Sequence, residues 1–279
     1  MKAAGTNSGS SPAAAARPVA PSAPAATPPE APPPGWRERL SHGRSLLIFL
    51  PLYALATAGF GMASLGFSLF DRSGRRQHGT AQAWARWLLR MGAIRVEVRG
   101  AENLIFDRPC VLVCNHSSYM DIPVIFSRLP LQFRILAKEG LFKFPFLGWH
   151  LRRSGHLPVA RGAAAGAMKS LLRAADVVRR GQSVFIFPEG GRSMAGPLQP
   201  FLPGAFFLAI RAQAPVVPVA LSGTRAVLPP HSLHLHPGRV RLTILPAVET
   251  RGLGKTDLEA LQTRVREQIA AALAADAAS

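Results

Sequence analysis

Acidic residues and cysteines are both scarce in this chain. Its 279 residues include 15 Asp and Glu against 33 Lys and Arg, so the formal net charge is +18. This excess predicts anionic partners, among them lipid headgroups, phosphorylated small molecules and nucleic acid. The two cysteines, Cys110 and Cys114, are about 13 Å apart along a predicted strand, which is too far for a disulfide bond. They are typical of a reducing compartment.

Three kinds of functional motif are also missing. No Gly-x-Ser-x-Gly stretch marks a serine nucleophile, and no basic run is interleaved with aromatic residues as in proteins that bind nucleic acid. The stretch HSLHLH, residues 231–236, has no accompanying carboxylate or cysteine that would complete a metal site. The sequence therefore predicts neither a bound metal nor a nucleic-acid partner.

The composition changes twice in the first third of the chain. Residues 1–34 are dominated by Ala, Pro, Ser and Gly and are predicted to form a disordered tail. Residues 45–70 contain no charged side chain and, as a helix, are long enough to cross a hydrocarbon core of about 30 Å. Residues 35–93 are therefore predicted to hold a membrane anchor. Because this stretch contains proline and several glycines, a re-entrant pair of helices remains an alternative to a single span.

An amphipathic segment follows the apolar stretch, TAQAWARWLLRMG at residues 80–92. Its large apolar residues recur at helical spacing on one face: Trp84, Trp87, Leu88 and Met91. Tryptophan beside arginine is typical of a helix at the bilayer interface, but the same face would also pack on a globular domain. Under both interpretations the helix links the anchor to the domain that follows.

Short strands alternate with helices over residues 94–279. CVLVC at residues 110–114 and SVFIF at residues 183–187 are unbroken apolar runs, typical of parallel strands buried on both faces. Helices are predicted at residues 122–128, 168–180 and 204–213. The inward face of the second of these is predicted to carry Met168, Leu171, Leu172, Ala175 and Val178. The pattern predicts an α/β domain with a mixed, largely parallel sheet flanked by helices and a final C-terminal helix.

The first apolar run ends in NHSSYMD, residues 115–121. Ligands of open α/β sheets bind at the carboxyl ends of the strands, so His116 is expected to face a crevice. Asp121 falls in the first turn of the next helix, whether it caps that helix itself or Ser118 does. A histidine oriented by a carboxylate is a general base, although a polar pair within a capping loop is the alternative. Cys114 is either an acyl carrier or, more commonly for such a residue, a buried thiol.

The second apolar run ends in FIFPEGGRS, residues 185–193. Gly190 and Gly191 allow backbone amides to approach an anion, and Arg192 offers a fork of donors matched to phosphate. The stretch predicts a phosphate site, with an ordinary surface loop as the alternative. Glu189 has the wrong charge for binding phosphate, so we expect it to orient Arg192 or to receive an acceptor hydroxyl.

These stretches resemble the motifs of the glycerolipid acyltransferases. NHSSYMD is similar to the His-x4-Asp motif of that family, and FPEGGRS to its Phe-Pro-Glu-Gly-Thr-Arg-Ser motif. Further stretches agree in order and spacing: AKEGLFKFPFLGW at 137–149, GHLPVAR at 155–161 and VVPVAL at 216–221. The resemblance covers about residues 80–250 and implies a membrane-embedded helical motif before the α/β domain.

The resemblance also implies the roles of individual residues. His116 corresponds to the general base, and Asp121 to the partner that orients it. Arg192 and Arg161 correspond to the residues that bind the phosphate of the acceptor, and Lys138 is a further candidate for that contact. No metal or other cofactor is expected, since the nucleophile arrives with the substrate.

The implied reaction moves a fatty acyl group from acyl-CoA or acyl carrier protein to lysophosphatidic acid and yields phosphatidic acid. Gly191 stands where the family commonly has threonine, and Ala160 where it often has aspartate, which leaves the acceptor open. Another lysophospholipid or a lyso-aminolipid is an alternative acceptor. A catalytically silent, basic, membrane-anchored lipid-binding protein is an alternative of a different class. The expected location is the inner, cytoplasmic membrane, with the catalytic domain on its cytoplasmic side.

Overall fold

The structure is a computed structural model that describes residues 36–160, 164–193 and 197–278. The predicted tail at residues 1–34 and the predicted phosphate ligand Arg161 lie outside these residues. The described chain begins with a run of helices: α1 (Trp36–Arg44), a π-helical segment (Ser45–Phe49), α2 (Leu50–Ser68) and α3 (Arg75–Met91).

The first helices contain one continuous helical stretch, Leu40–Ser68, in which an 18-residue segment has a mean hydropathy of 1.9. By length and composition it is able to cross a membrane. The π-helical turn ends two residues before Pro51, whose ring would clash with the carbonyl group four residues earlier in a regular α-helix. Most of the stretch is exposed on the protein surface, including Leu47 at 80% and Leu55 at 69%.

Among the described residues, seven strands form one sheet. They are β1 (Ile94–Arg99), β2 (Val111–Cys114), β3 (Phe133–Lys138), β4 (Leu157–Val159), β5 (Ser183–Ile186), β6 (Val216–Ser222) and β7 (Gly238–Ile244). Their order in space is β1-β7-β6-β2-β5-β3-β4, and only β6 and β7 pair antiparallel. The predicted α/β class with a mixed, largely parallel sheet is confirmed.

Strand β2 lies in the middle of the sheet, between β5 and β6. Val111 pairs with Val184 of β5 on one side and with Val216 of β6 on the other. Leu112 contributes to the core on one face of the sheet, whereas Val111 and Val113 contribute to the core on the other. Since both faces are covered, the strand has no polar alternation.

The remaining described helices are α4 (Asp121–Arg128), α5 (Leu147–Arg153), α6 (Ala164–Arg179), α7 (Gly204–Ala212), α8 (Thr224–Val227) and α9 (Leu258–Ala277). Helices α3 and α4 cover one face of the sheet, and α6, α7 and α9 cover the other. The three helices predicted between the strands are present. The prediction of which residues form the inward face of α6 is partly wrong, because Met168 and Leu172 are exposed while Ala174, Ala175 and Val178 are buried. The small alanines allow α6 to approach the core closely and turn its larger side chains outward.

Helix α3 packs on the α/β domain rather than standing apart from it. Its buried residues include Ala85 and Leu88, whereas Met91, predicted on the same face, is 43% exposed. Trp84 is half-buried and donates its Nε1–H to Thr57 Oγ1 of α2 at 3.2 Å. Helix α3 therefore connects the apolar stretch to the domain through direct contacts with both.

Candidate active site

His116 lies on the loop that joins β2 to α4. Because β5 and β6 flank β2 in parallel, the loops after these three strands meet at one edge of the sheet. The His116 side chain is 12% exposed. Its ring stacks on Phe187, the residue after β5, with centroids 3.9 Å apart and an interplanar angle of 18°. The neighbouring strand thus helps to fix the orientation of the imidazole.

Asp121 is the first residue of α4 and its side chain is fully buried. Its Oδ2 accepts hydrogen bonds from His116 Nδ1 at 2.6 Å, Ser117 N–H at 2.8 Å and Ser118 N–H at 2.9 Å. A carboxylate oxygen at this distance assigns the ring proton to Nδ1. The other ring nitrogen, Nε2, then carries the lone pair of a base. The structure therefore places His116 and Asp121 in direct contact, as expected from the sequence.

Glu189 holds the backbone of two loops. Its Oε1 accepts the His116 N–H at 2.6 Å, and its Oε2 accepts the Gln199 N–H at 3.0 Å. Burial raises the pKa of the Glu189 carboxyl above its ordinary value, and these two amide donors oppose that rise. The sequence predicts that Glu189 orients Arg192 or receives a hydroxyl, but the structure places both carboxylate oxygens on backbone amides.

The loop after Glu189 closes over the histidine loop. Ser193 donates its N–H to the His116 carbonyl oxygen at 2.8 Å. Gly190 adopts a left-handed conformation with φ +69°. The Arg192 guanidinium lies over the Tyr119 ring, 3.8 Å from its centroid, in a cation–π contact. Gly190 and Arg192, two of the predicted phosphate-binding residues, therefore lie on the same edge of the sheet as the His116–Asp121 pair.

Replacing Gly190 by alanine is expected to lower the free energy of unfolding by about 1–2 kcal/mol, because a left-handed backbone is costly for a residue with a Cβ atom. That Cβ would also lie 2.6 Å from Leu202 Cδ1. Gly191→Ala is the matched control, since its Cβ would meet nothing within 4 Å. Denaturant titration in detergent measures both variants, and equal losses in the two would contradict this account.

An apolar cavity of about 400 Å³ opens beside this loop. Tyr119 and Arg192 line it together with residues of α2, α3 and α5. Burial lowers the pKa of His150 to about 4 and that of His156 well below its ordinary value, so both rings in the wall stay neutral at physiological pH. Arg192 is the only charged side chain among the described residues that line the cavity. Such a lining suits an alkyl chain.

Comparison with known proteins shows the family of this chain. Residues 95–222 match the family model described as Acyltransferase. Over 231 residues the chain is 32% identical to the 1-acyl-sn-glycerol-3-phosphate acyltransferase of Saccharomyces cerevisiae, covering 81% of this chain and 75% of the relative. The chain belongs to the 1-acyl-sn-glycerol-3-phosphate acyltransferase family. The resemblance seen in the sequence motifs is thereby confirmed.

Two further members of this family are also similar. The chloroplastic enzyme BAT2 of Brassica napus is 38% identical over 179 residues, covering 63% of this chain and 52% of the relative. The chain therefore matches about half the length of that relative. The crystal structure of PlsC from Thermotoga maritima, a 1-acyl-sn-glycerophosphate acyltransferase, superposes with a TM-score of 0.73 at 26% identity. The match covers 87% of this chain and 97% of PlsC.

Two other candidates from the sequence, Lys138 and Cys114, differ in their surroundings. Lys138 is exposed at the carboxyl end of β3, two strands away from β2 in the sheet. Cys114 is fully buried, and burial raises the pKa of its thiol well above the ordinary value. The thiol stays protonated at physiological pH, which favours a structural role over that of an acyl carrier.

Three residues at this site were missed by sequence reasoning. The Asn115 amide pairs with the backbone N–H and C=O of Leu221 in β6, at 2.8 and 2.9 Å. The Thr224 hydroxyl lies 3.0 Å from Ser117 Oγ, and Arg225 donates to the Ser193 carbonyl oxygen at 2.9 Å. A signal for them exists, because SGTR stands at the end of buried β6 much as NHSS follows β2. These side chains tie the ends of the three central strands together.

Proposed function

We propose that the protein transfers a fatty acyl group from acyl-CoA or acyl carrier protein to the free hydroxyl of lysophosphatidic acid, giving phosphatidic acid. The hydrogen bond of 2.6 Å between His116 Nδ1 and Asp121 Oδ2 carries this proposal. It leaves Nε2 of His116 as a base at the carboxyl end of β2. The names of the similar proteins support the choice of lysophosphatidic acid as acceptor.

The transfer needs no covalent intermediate on the protein. His116 Nε2 accepts the proton of the acceptor hydroxyl as that oxygen attacks the carbonyl carbon of the thioester. Asp121 stabilises the imidazolium that forms. Collapse of the tetrahedral adduct breaks the carbon–sulfur bond, and the departing thiolate takes the proton back from His116. The products are the ester and the free thiol of the donor.

Arg192 is the residue to which we assign the acceptor phosphate. Its guanidinium lies against the ring of Tyr119. The loop that carries Arg192 is joined to the His116 backbone by a hydrogen bond from the Ser193 N–H. A planar fork of N–H donors matches phosphate oxygens. By the family resemblance Arg161 joins it in this role, and Lys138 is a further candidate contact outside the cavity.

The apolar cavity is proposed to hold the acyl chain. Because α2 forms part of its wall, a chain bound there lies next to the exposed apolar surface of the Leu40–Ser68 stretch. This arrangement supports a membrane-bound enzyme that takes its acceptor from the bilayer. We assign the protein to the inner, cytoplasmic membrane with its catalytic domain on the cytoplasmic side, where acyl-CoA and acyl carrier protein are present and both cysteines remain free.

A panel of acceptors tests the proposal directly. Membranes that contain the protein are supplied with labelled acyl-CoA or acyl carrier protein, and with lysophosphatidic acid, lysophosphatidylcholine, lysophosphatidylethanolamine or a lyso-aminolipid. Labelled phosphatidic acid should be the main product. A different main product would mean that another lysolipid is the acceptor. No product with any acceptor would favour a silent lipid-binding protein.

Replacing Arg192 by alanine is expected to raise the KM for lysophosphatidic acid by about tenfold or more, since hydrogen bonds to charged groups contribute about 1.5–3 kcal/mol. The effect on kcat should be smaller. Arg180→Ala, which removes an exposed arginine after α6, is the matched control. Steady-state kinetics over a range of acceptor concentrations separate KM from kcat. An unchanged KM would remove Arg192 from the phosphate site.

A further inference from the structure

A second cavity, of about 510 Å³, lies between the C-terminal half of α2 and α5. The wall formed by α2 and the residue after it is largely apolar and includes Met62, Leu65 and Leu69. The wall formed by α5 carries Trp149, Arg152 and Arg153. These three residues are spaced i, i+3 and i+4, so they share one face of the helix. We call this cavity the α2–α5 groove.

The α2–α5 groove is separate from the acyl cavity. Helix α5 turns Leu147, His150 and Leu151 toward the acyl cavity, and its other face toward the groove. A hydrogen bond of 2.6 Å between Ser64 Oγ and His150 Nδ1 joins α2 to α5. The two helices therefore form a wall with the acyl cavity on one side and the groove on the other.

The charges at this end of α2 are predominantly positive. Arg152 and Arg153 are exposed in the groove, and Arg72, Arg75 and Arg76 follow the end of the helix. The Asp71 carboxylate accepts hydrogen bonds from the N–H groups of Ser73 and Arg76, both at 2.8 Å. This acidic residue is therefore engaged by its own loop, while the groove presents two cations beside an apolar wall.

We propose that the α2–α5 groove binds one anionic glycerophospholipid of the bilayer. Arg152 and Arg153 hold the phosphate and headgroup, and the acyl chains follow the apolar wall formed by α2. Trp149 lies where the polar and apolar parts of the lipid meet, as tryptophan does at membrane interfaces. A zwitterionic lipid gains less from this site, because basic residues near a membrane attract net negative charge. The inference rests on the membrane location proposed above and is independent of the transfer chemistry.

Fluorescence of Trp149 tests this proposal on the purified full chain in detergent micelles. Brominated phosphatidylglycerol is added at low mole fraction and compared with brominated phosphatidylcholine. The signal of Trp149 is the difference between the unaltered protein and Trp149→Phe, because the chain has four tryptophans. We expect half-maximal quenching at an about tenfold lower fraction of the anionic lipid, and a loss of this preference in high salt.

The double variant Arg152→Gln/Arg153→Gln should lose the preference for the anionic lipid. Arg251→Gln/Arg264→Gln removes the same charge from exposed positions elsewhere and should keep it. Equal quenching of the unaltered protein by the two lipids would overturn the proposal, even if the double variant failed to fold. No acyl transfer is measured, so an inactive protein that still prefers the anionic lipid would contradict only the proposed function.

Discussion

Replacing His116 by alanine is expected to lower kcat for acyl transfer by about a hundredfold or more, since general base catalysis typically contributes a factor of 10² to 10⁴. The reason lies in the geometry of the ring. Asp121 binds Nδ1 at 2.6 Å, and Phe187 stacks on the ring face. The base that would accept the proton is therefore already oriented before substrate binds. Initial rates with saturating lysophosphatidic acid and acyl donor measure the effect.

A second substitution separates lost chemistry from lost stability. Alanine at position 116 removes a donor from the buried Asp121 carboxylate, and an unpaired buried charge destabilises a fold. His116→Asn keeps an N–H donor near the position of Nδ1 but carries no base. We expect it to unfold close to the temperature of the unaltered protein and to be as inactive as His116→Ala. Full activity in either variant would exclude His116 as the base.

Replacing Asp121 by asparagine is expected to lower kcat by about a hundredfold, because the imidazolium that forms in the transition state loses its anionic partner. The fold should tolerate the change. Oδ2 receives three donors, whereas the buried Oδ1 has no hydrogen-bond partner among the described residues. An amide can therefore place its oxygen toward the donors and its NH₂ group at the other position. The histidine keeps its orientation and its tautomer.

The readout for Asp121 is the division between kcat and KM. Asp121 has its contacts with the histidine loop, so the KM for lysophosphatidic acid should change little while kcat falls. Asp176→Asn is the control, since Asp176 is exposed and pairs with Arg179 on α6. Activity of Asp121→Asn equal to that of the control would mean that the hydrogen bond to His116 only supports the loop.

Local sequence patterns predicted the central pair because its parts are close along the chain. His116 and Asp121 are separated by one loop, between a buried strand and a helix that begins at Asp121 itself. The apolar runs likewise predicted central parallel strands, since a strand covered on both faces has no polar alternation. Predictions of finer packing were less successful. The exposed Met168 and Leu172 show that periodicity gives the existence of α6 more reliably than the orientation of its faces.

By itself, the sequence determined the α/β class, the apolar stretch and the positions of both polar loops, because each depends on neighbours within a few residues. The tertiary structure decided which contacts those loops make with one another. The pairing of β5 and β6 with β2 places Glu189 on the His116 amide, and Arg225 on the Ser193 carbonyl group. The packing of α2 against helices later in the chain likewise forms both cavities. Strand order and helix packing arise from contacts over long sequence separations, which periodicity and motif spacing do not record.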